Sequence, residues 1–519
     1  MLDYQTLSKN GDLISGPEED GKLNGNLNVN SRKLPDFVNW NWSIIRKVLL
    51  WVVISGLVAC LAAIIAMLVT IPKHCNPNLP WYQGKVFYEI FPASFKDSNK
   101  DGIGDIKGLI QKLDYIQNLG VSAVRLNYIF ETDNYPVQYD NVSSSMQIAR
   151  GVGILKDFDD LMIAVHTRNM YLMLDIPVTT LANSFIYSNV TIDILLSRNS
   201  LVSDYDAVSI SLAYWAHQQK VDGFYLKNLE NFVDDVNFGR TLQFWKHIIG
   251  NNRIFMASEK AYEKANGESL NVLLSRTDLI DVHLDLMHGV NGLKERIEKV
   301  VTGTLWLKAH YPWVHWNIGN VGTERVSTKQ INNTLALSAL QFVLPGTVSI
   351  FYGDEIGLGG LPSDAIEVDF HEHKNIHNLV PMKFAGSEKE NNMILPWNSG
   401  LTIPPKFHFL NVFKNLIDLR LDTPTIYLRA IYKDGNIQRN VDIRKTDEYL
   451  VVLERWYPRR NTCVYLGNFG SKAITTDLSS MFYGGTVVAA TNISLVGQVI
   501  YLDKVTFEPN SAVILKLEK

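Results

Sequence analysis

The sequence predicts an α/β protein with three parts: one N-terminal transmembrane helix, a (β/α)8 barrel, and an all-β antiparallel C-terminal domain. Three observations carry this. From Val48 to Ile71 the chain runs "VLLWVVISGLVACLAAIIAMLVTI", without one charge. From Lys85 to about Leu421, strand-like and helix-like runs alternate through about eight units, the pattern of a barrel with helices outside. After Thr423 the runs become short and rich in β-branched residues, with turn signals between them.

Residues 1–43 are rich in Gly, Asn, Asp and Ser, a composition that buries too little to fold and predicts a disordered tail, placed in the cytoplasm by the charge bias below. Residues 44–71 are the predicted span; about two dozen apolar residues cover about 30 Å of hydrocarbon. The run starts too far into the chain for a secretory leader. Arg46 and Lys47 precede it, with Arg32 and Lys33 further back, and Lys73 alone follows closely. That bias predicts a cytosolic N-terminus and an outer C-terminal part, a single-pass type II arrangement. Residues 72–84 form a neck broken by prolines. Within the barrel, 85–421, "KVFYEIF", "VSAVRLN", "MYLMLDIP", "VDGFYL", "RIFMASE", "DLIDVHL", "PWVHWNIG" and "TVSIFYG" are the strands. The stretch "DIKGLIQKLDYIQNLG" reads as an amphipathic helix closed by Gly120. In the C-terminal domain, 422–519, the strands are "YLVVLERW", "TCVYLGNF", "GTVVAATN", "QVIYLDKV" and "AVILKLE".

Charge and cysteines narrow the function classes. The net charge of −4, without a basic tract, gives no reason to expect nucleic acid as a partner. Of the three cysteines, Cys60 lies inside the apolar run, while Cys75 and Cys463 fall on the predicted outer side, where disulfides persist. Sequons at Asn141, Asn189, Asn332 and Asn492 lie on that side too; Asn41 also fits the pattern but falls on the cytosolic side. The stretch "DSNKDGIGD" spaces Asp97, Asn99, Asp101, Ile103 and Asp105 at alternating positions. Oxygen donors at that spacing, with glycine for the turn, suit Ca²⁺, the one cofactor the sequence suggests. The plain reading of the same loop is an acidic, glycine-rich turn.

Several stretches together resemble the α-amylase family of glycoside hydrolases, in its α-glucosidase-like branch. They are "VFYEIFPASFKDSNKDGIGDIKGLIQKLDYIQNLGVSAVRLN", "PGTVSIFYGDEIGL" and "EPNSAVILKLE", and the likeness covers about residues 81–519. The tail, single span and neck resemble the heavy subunits of heteromeric amino acid transporters, of the 4F2/rBAT type. The resemblance implies a barrel derived from a retaining glycosidase, which needs a nucleophilic carboxylate and an acid/base carboxyl across the scissile bond.

The fourth-strand motif of that family reads like G-F-R-x-D, the aspartate being the nucleophile. Here Gly223, Phe224, Tyr225, Leu226 and Lys227 stand in those places. An ammonium cannot form the glycosyl ester. In the third-strand motif Asp175 is kept, but Thr179 and Thr180 replace asparagine and histidine. Glu259 in "MASE" matches the acid/base position. The seventh-strand N-H-D is matched by Asn320, Val321 and Gly322, so its aspartate is gone. Asp175, Lys227, Glu259 and Gly322 are therefore expected to be vestiges of a site, without glycosidase activity. Lys227 is expected near Asp175 and Glu259, neutralising both.

By the same resemblance the chain is a plasma-membrane glycoprotein and the non-catalytic heavy subunit of an amino acid transporter. It would support the surface expression of a multi-span light chain and be joined to it through Cys75, between span and barrel. A free thiol at Cys75 or a Cys75–Cys463 bridge stays open at this level. So do a membrane-anchored α-glucosidase and a surface carbohydrate-binding or adhesion protein.

Overall fold

The computed structural model describes residues 40–70, 78–178, 207–362, 375–386, 393–398, 404–431 and 435–517. It divides into two compact units, Met1–Cys75 and Asn76–Lys519. In the first unit, helix α1 runs Trp42–Thr70, 29 residues. At 1.5 Å per residue that is about 43 Å, longer than the hydrocarbon core of a bilayer. Nearly all of its described side chains stand exposed, and Trp42–Met67 is long and apolar enough to cross a membrane. The helix starts two residues before the expected boundary. Arg46 and Lys47 therefore sit inside its first turns, where long basic side chains reach back to the headgroup region.

In the second unit eight parallel strands close into a barrel. They are β1 (Val86–Ile90), β2 (Ala123–Leu126), β3 (Tyr171–Pro177), β4 (Gly223–Lys227), β5 (Ile254–Ser258), β6 (Leu279–His283), β7 (Trp313–Asn317) and β8 (Thr347–Phe351). Each pairs with its sequence neighbours, and β1 closes the ring on β8. Every strand read from the sequence is present. Their apolar runs are nearly continuous because one face meets the helix layer and the other fills the barrel.

Alternation decides which side chains enter the barrel. Phe87, Met173, Tyr225, Met256, Leu279 and Trp313 fill it as one apolar cluster, and Leu428 packs beneath them. One residue pair further along the strands the filling turns polar. Glu89, Arg125, Asp175, Asp281 and His315 all point inward and are buried.

Local structure departs from expectation in three places. The helix after β1 is two short ones, Ile106–Gln111 and Leu113–Asn118, because Lys112 leaves helical geometry between them. Gly120 then ends the second with φ +88, and a Cβ there would stand 2.8 Å from Ile417. A hairpin, Phe130–Thr132 with Val142–Ile148, follows β2 and was not read from the sequence. Glu259 starts a helix, Glu259–Lys264, which Ser258 caps by accepting from the Ala261 N–H.

The C-terminal domain is an antiparallel sheet of six strands: β9 (Val441–Thr446), β10 (Leu450–Arg455), β11 (Cys463–Asn468), β12 (Gly484–Ala490), β13 (Val499–Tyr501) and β14 (Ser511–Leu517). They lie in the order β9-β10-β11-β14-β12-β13. It packs directly on the barrel, which is why both belong to one unit. Tyr465 of β11 donates to the Ala336 carbonyl on a barrel helix at 2.8 Å. The buried Arg455 donates to the carbonyls of Thr425, Ile426 and Leu428, where the chain leaves the barrel.

Candidate functional site

The mouth of the barrel, at the C-terminal ends of the strands, is where the fold gathers chemistry. Asp175 lies near the C-terminal end of β3 and is buried. Arg125 grips it through two parallel bonds, Nε to Oδ1 at 2.7 Å and Nη2 to Oδ2 at 3.0 Å. The third guanidinium nitrogen donates to Glu89 at 2.9 Å. Asn127 bridges the same two carboxylates, at 2.8 Å to Asp175 and 3.1 Å to Glu89. Lys227 completes the set with Nζ 3.6 Å from Asp175 Oδ2. Tyr225, where the sequence pattern has arginine, lies between the two cations. Arg125 stacks on its ring at 4.1 Å and Lys227 at 4.6 Å. Asp175 is thus met by two cations, Arg125 from β2 and Lys227 from β4.

A second group fills the opposite wall. Asp281 accepts from His315 at 2.7 Å and from Asn317 at 2.8 Å. The Tyr225 hydroxyl reaches it at 3.3 Å. Burial alone would raise the Asp281 carboxyl. The His315 hydrogen bond and charge, with Arg125 and Lys227 behind, outweigh burial and hold it well below the usual carboxylate range. For Arg125 burial acts against the charge, and Asp175 and Glu89 reverse that, so its guanidinium stays charged. Burial and the Asp281 charge push the Tyr225 phenol well up, so it stays a neutral donor.

Glu259 is held elsewhere. Its two carboxylate oxygens are gripped by both terminal nitrogens of Arg296, one of them at 2.6 Å. Arg296 stands on helix Gly289–Val301 and anchors itself on the His283 carbonyl at 3.2 Å. Burial raises the Glu259 carboxyl above the usual range, and Arg296 offsets only part of that rise; the bidentate grip occupies both of its oxygens. The expectation that Lys227 would serve Asp175 and Glu259 together therefore needs correction. Lys227 pairs with Asp175, and Glu259 has its own arginine, 37 residues along the chain. A cleft of about 270 Å³ opens there, lined by His283, Asp285, His288, Gly292 and Arg296. It is smaller than the roughly 300–1,000 Å³ of ordinary ligand pockets.

Gly322 is exposed on the loop after β7, and a Cβ there would meet only the Asn320 side chain, at 3.4 Å. The same loop touches the charged cluster through the Val321 N–H, which donates to Glu89 at 3.1 Å. Among these matched positions two carboxylates remain, Asp175 and Glu259, and each faces a guanidinium. Thr179, Thr180, Asn189 and Cys75 lie outside the described residues.

The Asp97–Asp105 loop is laced by its own hydrogen bonds. Asp97 accepts from the backbone N–H groups of Asn99, Lys100 and Gly102. Asp101 accepts from Ile103 N–H and the Asn99 side chain. Asp105 caps helix Ile106–Gln111 through Gly108 N–H and takes two bonds from Ser98. Each of the three loop carboxylates thus accepts from donors of the loop or of the helix that follows it. Among the described residues no three His, Cys, Asp or Glu side chains converge as a metal site.

Of the sequon asparagines, Asn141, Asn332 and Asn492 are exposed, as is Asn41 just before α1. Cys463 is buried in β11, 1% exposed, and burial pushes its thiol up to about 11. A protonated, inaccessible thiol is a poor partner for disulfide exchange.

With this geometry in view, the comparisons with known proteins are specific about fold and divided about activity. Residues 89–241 match the family model "Alpha amylase, catalytic domain". The human amino acid transporter heavy chain SLC3A1 is 23% identical over 477 residues, covering 72% of this chain and 67% of that one. The oligo-1,6-glucosidase of Bacillus cereus is 24% identical over 404 residues, covering 58% and 69%. Among solved structures, trehalulose synthase MutB of Pseudomonas mesoacidophila MX-45 superposes with a TM-score of 0.65 at 18% identity, over 85% of this chain and all of that one. Residues 89–241, within the closed barrel, are similar to the catalytic domain of the α-amylase family, and the solved structures share the fold. A transporter heavy chain and a glucosidase stand at equal distance from this chain.

Proposed function

We propose that the chain is the non-catalytic heavy subunit of a heteromeric amino acid transporter, anchored in the plasma membrane by α1 with its barrel outside. The observation that carries this reading is the barrel mouth. A retaining mechanism needs a carboxylate free to attack the anomeric carbon and an acid able to protonate the leaving oxygen. The nucleophile position holds Lys227, paired with Asp175. The acid position holds Glu259, fixed by Arg296. Neither group is available for that chemistry. The one helix that is long and apolar enough to span a membrane among the described residues, and the likeness to a transporter heavy chain, support the rest. One such helix offers no polar pathway, so solute would pass through a partner with several spans.

Cys75 is the thiol for a covalent link. Cys60 lies within the span and Cys463 is buried, so neither competes for an outer partner. The alternative of a membrane-anchored α-glucosidase rests on the equally near glucosidase relatives.

The test is purification from membranes without reductant. A band heavier than the chain should appear, collapse with reductant, contain a multi-span protein, and vanish in Cys75→Ser while persisting in Cys463→Ser. A Cys75→Ser chain that keeps the reducible band, in cells expressing the partner, contradicts the assignment.

A further inference from the structure

The C-terminal sheet ends in an uncovered aromatic edge. β13 pairs on one side with β12 and has no strand on the other among the described residues, which leaves its outer backbone groups open to a further strand. Val499 and Tyr501 point to the same face and are 52% and 57% exposed. Tyr501 sits opposite Gly484, which has no side chain to cover it. Tyr483 is 81% exposed and meets Tyr501 edge to face, centroids 5.5 Å apart. An apolar sheet edge of this kind invites pairing between chains unless something blunts it.

The sequon Asn492–Ile493–Ser494 lies on the turn that leads into this strand. The turn is pinned to β12: Gly497 N–H donates to Val487 O, and Val487 N–H donates to Gln498 O, both at 2.8 Å. Val499 lies seven positions beyond Asn492, which bounds the gap at about 25 Å even for an extended chain. Asn492 Oδ1 accepts from Ser494 N–H at 3.2 Å and from Ser494 Oγ at 2.7 Å. Nδ2 has no protein partner among the described residues. The other described sequons are arranged differently. Thr334 is fully buried and its hydroxyl donates to Gln330 O; the Ser143 hydroxyl donates to Glu131 O.

We propose that an N-linked glycan on Asn492 covers the edge formed by Tyr483, Val499 and Tyr501 and keeps it from pairing with a second chain. This rests on the outward placement of the barrel under Proposed function. The donor is a lipid-pyrophosphate-linked oligosaccharide. The Nδ2–C1 bond forms, the C1–O bond to the pyrophosphate breaks, Nδ2 gives up one proton, and the lipid pyrophosphate leaves. The sugar then brings its C–H faces against the exposed tyrosine rings and occupies the space a further strand would take. The rings hold the first sugars near the sheet, and the hydrated outer sugars repel a second chain.

The experiment uses the full chain expressed in cells with a secretory pathway. Glycopeptide mass spectrometry reads occupancy, tetranitromethane reads tyrosine access, and native sizing in detergent reads self-association. Asn492 should carry sugar. Asn492→Gln, Ser494→Ala and enzymatic deglycosylation of the folded wild type should each raise nitration of Tyr483 and Tyr501 severalfold. Each should also produce self-association that Tyr501→Lys removes, whereas Ser494→Thr should behave as wild type. Sugar on Asn492 whose removal leaves both tyrosines and the sizing unchanged overturns the proposal. So does a bare Asn492 in a chain glycosylated at Asn141 or Asn332. A chain with no sugar at any sequon overturns the outward placement as well, which separates the two failures.

Discussion

The floor and the mouth of the barrel are built from the same eight strands and are filled in opposite ways. At the floor Phe87, Met173, Met256, Leu279 and Trp313 form an apolar layer. Trp81 closes it from the neck side, stacked on Tyr171 at 4.3 Å and on Phe87 at 5.9 Å. At the mouth Glu89, Asp175 and Asp281 face Arg125, Lys227 and His315, nearly all of them buried. The floor stabilises by area removed from water and tolerates rearrangement. The mouth is made of charges out of water, each of which depends on its partner. An active site keeps one such charge unmatched so that it can react. Here the matches are complete on both retained carboxylates. The barrel has kept the fold's polar filling and turned it inward.

The largest expected effect lies at the mouth. Arg125→Leu leaves Glu89 and Asp175 buried against each other, which costs about 3–5 kcal/mol of unfolding free energy; a urea titration measures it. Phe87→Ala at the floor empties a fully buried site, and should also cost about 3–5 kcal/mol, but through a cavity. The two are told apart by salt and pH, which should change the first loss and leave the second alone.

Next comes a pH effect at the β8 end of the mouth. Asp354 is buried beside Arg325, 3.2 Å away. Burial pushes its carboxyl up to about 7, against the pull of Arg325. A raised carboxyl binds its proton more tightly in the folded chain than in the unfolded one. Its contribution is fully present below the unfolded value near 4 and is lost as pH rises through about 7. Thermal melts should therefore fall between pH 5 and pH 8, and Asp354→Asn should flatten the fall by about 2 °C. Equal slopes in the two proteins remove Asp354 from the account.

Lys227→Met should cost less, about 1 kcal/mol or under, because Lys227 is the outermost and longest contact to Asp175. A loss as large as that of Arg125→Leu makes Lys227 a keystone and changes the picture of the mouth. The smallest effect is expected at the Asp97–Asp105 loop. Its carboxylates already serve its own N–H groups, so a chelator should move the melting temperature by less than about 1 °C.

Much of this was legible in the sequence, for physical reasons. The eight strands show as apolar runs at regular spacing because both faces of each are buried. Lys227 and Glu259 stand at strand ends, where short motifs mark position. The ion network is less legible. Arg125, Asn127 and His315 sit inside runs that read as ordinary strand, and only alternation around a closed ring brings them to Asp175 and Asp281. Arg296 was missed altogether. Its helix looks like any amphipathic barrel helix, and no local signal links it to Glu259. The loop at Asp97 shows the reverse case. Its spacing suits an ion, and the backbone geometry that turns its N–H groups inward has no signature in spacing alone.

The account stands on a mouth whose two retained carboxylates at the matched positions, Asp175 and Glu259, are both engaged. The direct measurement is hydrolysis of maltose and of a nitrophenyl α-glucoside by the purified full chain, beside Glu259→Gln and Lys227→Asp. No turnover above the buffer rate is expected from any of the three, since Lys227→Asp alone restores neither a carboxylate at Gly322 nor a free Glu259. Turnover by the wild-type chain that disappears in Glu259→Gln would contradict the account and return the barrel to the glycosidases.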